Sequence, residues 1–262
     1  MDTLLIVPFI QVLQNLPAEV VSLILFGTCT IAILTLLKLF GANGLYIYNI
    51  VAVLAANIQV LKGVQFSIGS EPVALGTVVF ATTYLCSDIL TEHYGKEAAK
   101  IGVWLCFAAQ LLMTLLMVIA VGYPPLPIEA IGSAGTEHMP LTEQAIALLF
   151  TPSPRILFAS LLAFAVSQLI DIWVFQMMSM WTRKRGLWLR TTSATMISAM
   201  VDTIIFSVLA WVILAPQPVS FSVLVFTYIL GTFLTRALLS ILSTPVMYMS
   251  YACIPLRPTY VQ

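Results

Sequence analysis

Five ionisable side chains fall inside long apolar stretches: Asp88, Glu92, Asp171, Asp202 and Arg236. A charge near the centre of a membrane-spanning helix costs about 2.5–3.5 kcal/mol on insertion scales, so each needs a partner or a purpose. Their spacing groups them. Tyr84-x3-Asp88-x3-Glu92, Ser167-x3-Asp171-x3-Phe175 and Ser198-x3-Asp202-x3-Phe206 all step by four residues. Residues four apart share one face of a helix, so each segment presents a carboxylate with an aromatic ring one turn away. Gln168 widens the polar face of the second segment. The matching Ser/Asp/Phe order of the last two segments is also a weak sign of an internal repeat.

A carboxylate accepts paired hydrogen bonds from a planar donor edge, such as that of a guanine-like base, an amidine or an aminopyrimidine. A neighbouring aromatic ring adds a stacking face, typically worth about 1–3 kcal/mol for a base. Gln168 and Asn57 are suited to carbonyl and ring-nitrogen positions. The pattern therefore predicts a site for a flat polar heterocycle, cationic ones included. Plainer roles compete with this one. Arg236 can neutralise Asp171 or Asp202 as an interhelical lock, and Asp88 and Glu92 can be solvated near the cytoplasmic surface. Phe175 and Phe206 can be core packing, and Ser167 and Ser198 can be small residues at helix contacts. Lys62, at the end of a run, reads as an interface anchor.

The elements that must position these residues follow from composition. The chain has 262 residues, of which 60% are hydrophobic and 8% charged, with a mean hydropathy of +1.03. Soluble domains carry about 25% charged residues. The composition excludes a water-soluble enzyme and a disordered chain. Equal numbers of Lys+Arg and Asp+Glu, 11 each, argue against a basic nucleic-acid-binding face. Cys29, Cys86, Cys106 and Cys253 are scattered without CxxC spacing, and His93 and His138 lie apart. Neither pattern predicts a metal site or another cofactor.

Seven apolar runs approach the length needed to cross a bilayer core of about 30 Å. They lie at about 19–40, 45–61, 73–92, 98–121, 156–181, 191–214 and 221–248. Lipid leaves backbone groups no outside partner, so the spans are predicted to be helical. The expected fold is all-α: one integral membrane domain over 1–262, with six core helices and an extra N-terminal helix. Residues 4–16, broken by Pro8, Gln11 and Gln14, read as an interfacial or loosely ordered lead-in. No Lys or Arg precedes Lys38, so a signal peptide is not expected. Lys38, Lys96, Lys100, Arg183, Lys184, Arg185, Arg190 and Arg257 fall on one side of a seven-span arrangement, and only Lys62 and Arg155 on the other. The positive-inside rule then places the C-terminus in the cytoplasm and the 122–154 loop outside. Within that loop, Leu141–Phe150 is a candidate short interfacial helix.

The run Asn57 to Lys62, followed by Phe80-Ala-Thr-Thr-Tyr-Leu-Cys-Ser-Asp88-Ile-Leu-Thr-Glu92-His-Tyr94-Gly95, resembles the queuosine precursor transporter family, also called vitamin uptake transporters. So do Arg155-x4-Ser160-x6-Ser167-Gln168-x2-Asp171-x3-Phe175, Ser198-x3-Asp202-x3-Phe206, and Arg236 with Ser240, Pro245 and Tyr248. The resemblance covers roughly residues 45–250. It implies a core of about six spanning helices and import of 7-cyano-7-deazaguanine, 7-aminomethyl-7-deazaguanine or queuine for tRNA modification. By that resemblance Asn57, Asp88, Glu92, Gln168, Asp171, Asp202 and Arg236 are pocket candidates, beside Tyr84, Phe175 and Phe206 from the spacing alone. The extra first run departs from the family's core pattern.

Transport of a small heterocycle across the cell membrane is the leading reading, with Asp171 or Asp202 available to carry a coupling proton and a homodimer left open. No Gly-x4-Gly-Lys phosphate loop occurs, so ATP-driven uptake would need a partner subunit to which this chain delivers solute. A channel or a transporter of an unrelated vitamin is also compatible with the composition. An intramembrane aspartyl protease with Asp171 and Asp202 as its dyad is the enzymatic alternative. Neither aspartate sits in the Tyr-Asp or Gly-x-Gly-Asp setting such an enzyme would favour.

Overall fold

A computed structural model describes residues 3–66, 73–125, 139–150, 154–215, 217–223, 225 and 232–254. The helices are α1 (Thr3–Gln14), α2 (Ala18–Phe40), α3 (Ala42–Gln59), α4 (Gly76–Tyr94), α5 (Lys96–Val121), α6 (Met139–Phe150), α7 (Pro154–Trp181), α8 (Leu187–Val208), α9 (Phe221–Val223) and α10 (Thr232–Cys253). Two-residue strands β1 (Gly63–Val64) and β2 (Val73–Ala74) pair antiparallel between α3 and α4. The molecule is an all-α polytopic membrane protein. Ala18–Phe40, Lys96–Val121, Phe158–Trp181 and Leu187–Ile213 are each long and apolar enough to cross a bilayer.

Helices thus occupy the first six apolar runs. The seventh lies partly outside the described residues: α9 covers its start, and α10 begins at Thr232 and continues to Cys253. Of the two readings of the lead-in, interfacial or loosely ordered, the second is corrected: residues 3–14 form a regular helix. Pro8 sits inside α1, where it removes one backbone donor and the rest of the turn stays helical. Helix α6 begins two residues before the stretch predicted for it. The sixth run ends in a π-helical turn at Leu209–Ile213, a local widening that the apolar pattern does not encode.

Helix α4 is the centre of the bundle. It packs against α2, α3, α5, α7, α8 and α10, and every residue from Gly76 to Thr91 except Phe80 is buried. Small and hydroxylated side chains make that possible, because they let backbones approach closely. The hydroxyls stay satisfied within the helix: Thr82 donates to the Val79 carbonyl, Thr83 to Phe80 and Thr91 to Ser87. Outer helices do the opposite. Leu23, Ile31 and Leu39 on α2, and Leu112, Leu115 and Ile119 on α5, are exposed. In water such rows would drive aggregation; against lipid they are the expected surface.

Two glycines hold the packing tight. Gly44 on α3 lies against the Leu36 backbone of α2, and Gly76 at the start of α4 against the Ala56 carbonyl and Val60 of α3 and its end. A Cβ at either position meets backbone, which cannot swing aside. Gly44→Ala and Gly76→Ala are therefore expected to lower stability by about 1–3 kcal/mol or to abolish folding. Gly27→Ala, which meets nothing within 4 Å, should melt like the wild type in detergent-solubilised thermal unfolding.

Candidate functional site

Tyr84, Asp88 and Glu92 lie on successive turns of α4, and each turn meets a different polar layer. At the first, the buried Tyr84 hydroxyl donates to Ser167 Oγ of α7 at 2.9 Å. Ser167 Oγ lies 3.1 Å from Asp202 Oδ1 of α8, to which it donates. Arg236 of α10 closes the chain with a short ion pair to Asp202 Oδ2. Of the two partners the sequence leaves open for Arg236, the structure selects Asp202. Gln168 sits beside this layer, its Nε2 donating to Thr83 Oγ1 at 3.0 Å while its buried Oε1 has no partner.

The second layer is built differently. Ser198 Oγ of α8 donates to Asp171 Oδ1 of α7 at 2.7 Å. Asp88 of α4 faces Asp171, with Thr191 beside it. Asp88, Asp171 and Thr191 are fully buried. Both carboxyl oxygens of Asp88, Oδ2 of Asp171 and Oγ1 of Thr191 nevertheless make no hydrogen bond of normal geometry, although Asp88 approaches both Asp171 and Thr191. Neither aspartate has an ion-pair partner among the described residues. Buried polar groups are ordinarily satisfied, and an orphaned carboxylate is among the costliest exceptions.

At the third layer Glu92 is already committed. Arg190 Nη1 donates to its Oε2 at 2.7 Å and Nη2 to its Oε1 at 3.0 Å, the two-pronged geometry that suits a guanidinium. Arg190 Nη1 also donates to Ser179 Oγ at 3.0 Å, and the Tyr251 hydroxyl donates to Glu92 Oε1 at 2.5 Å. The guanidinium lies 5.3 Å from the Phe175 ring centroid. This corrects three readings. Arg190 belongs to α8 and is buried; it is not a solvated loop base. Glu92 is not solvated near the surface either, because Arg190 and Tyr251 hold both its oxygens. Phe175 presents its ring to Arg190 and so is not a free stacking face.

Helices α7 and α8 share one antiparallel register. Ser167 reaches Asp202, Ser198 reaches Asp171, and Ser179 meets Arg190. The repeated Ser/Asp spacing thus produces reciprocal bonds, each serine serving the other helix's aspartate. That arrangement separates Asp171 from Asp202 into different layers with different partners, which removes the proposed protease dyad.

Asn57 lies in a separate cluster: its Nδ2 donates to Gln110 Oε1 at 2.9 Å, and Ser160 Oγ approaches its Oδ1 at 3.5 Å. Ser160 and Ser167 are two turns apart on α7, so this cluster sits roughly 10 Å from the Tyr84 layer. Phe206 is half-buried, one turn beyond Asp202, and Lys62 is exposed. No group of three or more His, Cys, Asp or Glu side chains among the described residues is placed to hold a metal.

Arg190 and Gln110 are the polar residues that spacing alone missed. Arg190 was visible in principle: 190, 194, 198, 202 and 206 continue one four-residue stripe on α8. Breaking a buried ion pair on one side typically costs about 3–5 kcal/mol. Arg190→Gln and Glu92→Gln are each expected to lower the detergent unfolding temperature strongly, and the double substitution should recover part of the loss.

Residues 74–250 match the family described as "Putative vitamin uptake transporter". The chain is also 30% identical over 226 residues to the "Probable queuosine precursor transporter" of Bacillus subtilis (strain 168), covering 86% of this chain and 91% of that relative. No solved structure matches. The family match takes in α4, α5, α7, α8 and the residues of the three layers from Thr83 to Arg236, with Tyr251 one residue beyond its end. The chain belongs to the vitamin uptake transporter family.

Proposed function

We propose that this protein imports 7-deazaguanine precursors of queuosine, and that the base binds at the Asp88–Asp171 layer. The relative's name supplies the substrate class, and the unpaired buried acceptors supply the place. Both oxygens of Asp88 and Oδ2 of Asp171 present lone pairs at the middle of the bundle with no protein hydrogen bond on them, and Gln168 Oε1 adds another unpaired acceptor. A guanine-like base is rich in N–H donors, so its arrival satisfies groups that the protein alone leaves bare. Tyr84, Asp202 and Arg236 form the adjoining wall, already bonded to one another and so fixed in position. Glu92 with Arg190 closes the other side. Asn57, joined to Gln110, lies about two turns of α7 away from the Tyr84 layer.

The distribution of basic residues supports an orientation with the C-terminus in the cytoplasm and the chain in the cell membrane. Energy comes from a proton carried by Asp171, since Asp202 is neutralised by Arg236 while Asp171 has no cation beside it.

Removing a charged hydrogen-bond partner costs about 1.5–3 kcal/mol, or about 10- to 150-fold. In a host unable to make queuosine precursors, Asp88→Asn and Asp171→Asn are expected to lower uptake of deazaguanine bases by about that factor, scored as queuosine in tRNA. Immunoblots of the membrane fraction should show unchanged protein. Wild-type uptake by both variants would contradict the assignment. A protonophore should stop accumulation by the wild type; continued accumulation would remove the proton from the mechanism.

A further inference from the structure

We propose that the Asp88–Asp171 pair receives a positively charged amine on the substrate, which makes the transporter selective for deazaguanines that carry an ammonium group at the 7-position over neutral ones. This rests on the base-transport reading above and extends it to the ligand's charge.

The charge balance of the interior motivates it. Asp202 is paired with Arg236, and Glu92 with Arg190. Asp88 and Asp171 are left over, together and fully buried, with no ion pair among the described residues. Hydrogen-bond donors on a neutral ligand would occupy their lone pairs without balancing their charge. A buried carboxylate is neutralised by a proton or by a counter-charge, and a neutral donor supplies neither. One proton between the facing acids cancels one of the two charges, and an ammonium group on the ligand balances the second.

Geometry agrees. The donor edge of a guanine-like base and its 7-substituent lie on opposite sides of the fused rings. Two carboxylates that face each other can therefore take only one end of the molecule. The open acceptors at this point are Asp88 Oδ1, Asp88 Oδ2 and Asp171 Oδ2, and an ammonium group has three N–H donors to match them. Thr191 Oγ1, fully buried and unpartnered beside Asp88, offers a further oxygen. An aliphatic amine of this kind is protonated at neutral pH, as a lysine is. The neutral ring edge is then left to uncharged groups such as Gln168, whose Oε1 is open.

The test is a binding competition on the purified full chain in detergent, with 7-aminomethyl-, 7-cyano- and 7-methyl-7-deazaguanine as the probes. The aminomethyl base is expected to bind at least about tenfold more tightly than either neutral base. In Asp88→Asn the preference should shrink to within about threefold, whatever affinity is left. Equal or tighter binding of the neutral bases by the wild type overturns the inference and leaves base transport standing. Binding of none of the three overturns both. A folded Asp88→Asn protein that keeps the full preference overturns the role of the pair. Should that variant not fold, the wild-type ratio decides by itself.

Discussion

The antiparallel register of α7 against α8 is the constraint on which the interior depends. It places Ser167 opposite Asp202 and Ser198 opposite Asp171, so that one hydroxyl answers one carboxylate on each side. A shift of a single turn would put serines against serines and leave both acids bare in a low-dielectric core. Because lipid offers no water to rescue a misplaced charge, such a shift is strongly disfavoured. The register is therefore fixed by the cost of its alternatives more than by the strength of any one bond.

Against that pair, α4 acts as a measuring rod. Tyr84, Asp88 and Glu92 fall one turn apart and meet three different answers: a hydroxyl chain ending in an ion pair, a carboxyl group with one oxygen open, and a two-pronged guanidinium. Two of the three layers are complete within the protein. The incomplete one lies between them, where Ser198 serves Asp171 Oδ1 and the other carboxyl oxygens stay open. Asp202–Arg236 and Glu92–Arg190 tie α4, α8 and α10 together, whereas Asp88–Asp171 has no such ion pair. The exposed apolar rows of α2 and α5 face lipid and take no part in the polar core.

Much of this was legible in the chain. A four-residue step is a statement about a helical face, and it identified Tyr84, Asp88, Asp171 and Asp202 before any fold was known. What the step cannot carry is which face meets which. Arg190 lay hidden at the end of a basic cluster, Arg183–Arg190, where charge reads as a cytoplasmic loop; only packing against α4 shows that its guanidinium turns inward. Asn57 shares the polarity of the site but not its depth, because depth depends on where α3 ends relative to α7. Phe175 has the right spacing for a stacking ring, yet the nearby guanidinium occupies it. Helix α1 forms in spite of Pro8, a residue whose effect depends on its place in the helix and not on its presence.

The acid pair of the second layer is the proposed place of the base. A structure of the protein with 7-aminomethyl-7-deazaguanine bound tests it directly. The expected result is an N–H donor of the ligand within about 3 Å of carboxyl oxygens of both Asp88 and Asp171, with the Ser198–Asp171 bond retained. A ligand found instead against Asn57 and Gln110, with Asp88 and Asp171 contacting only the protein, would contradict it.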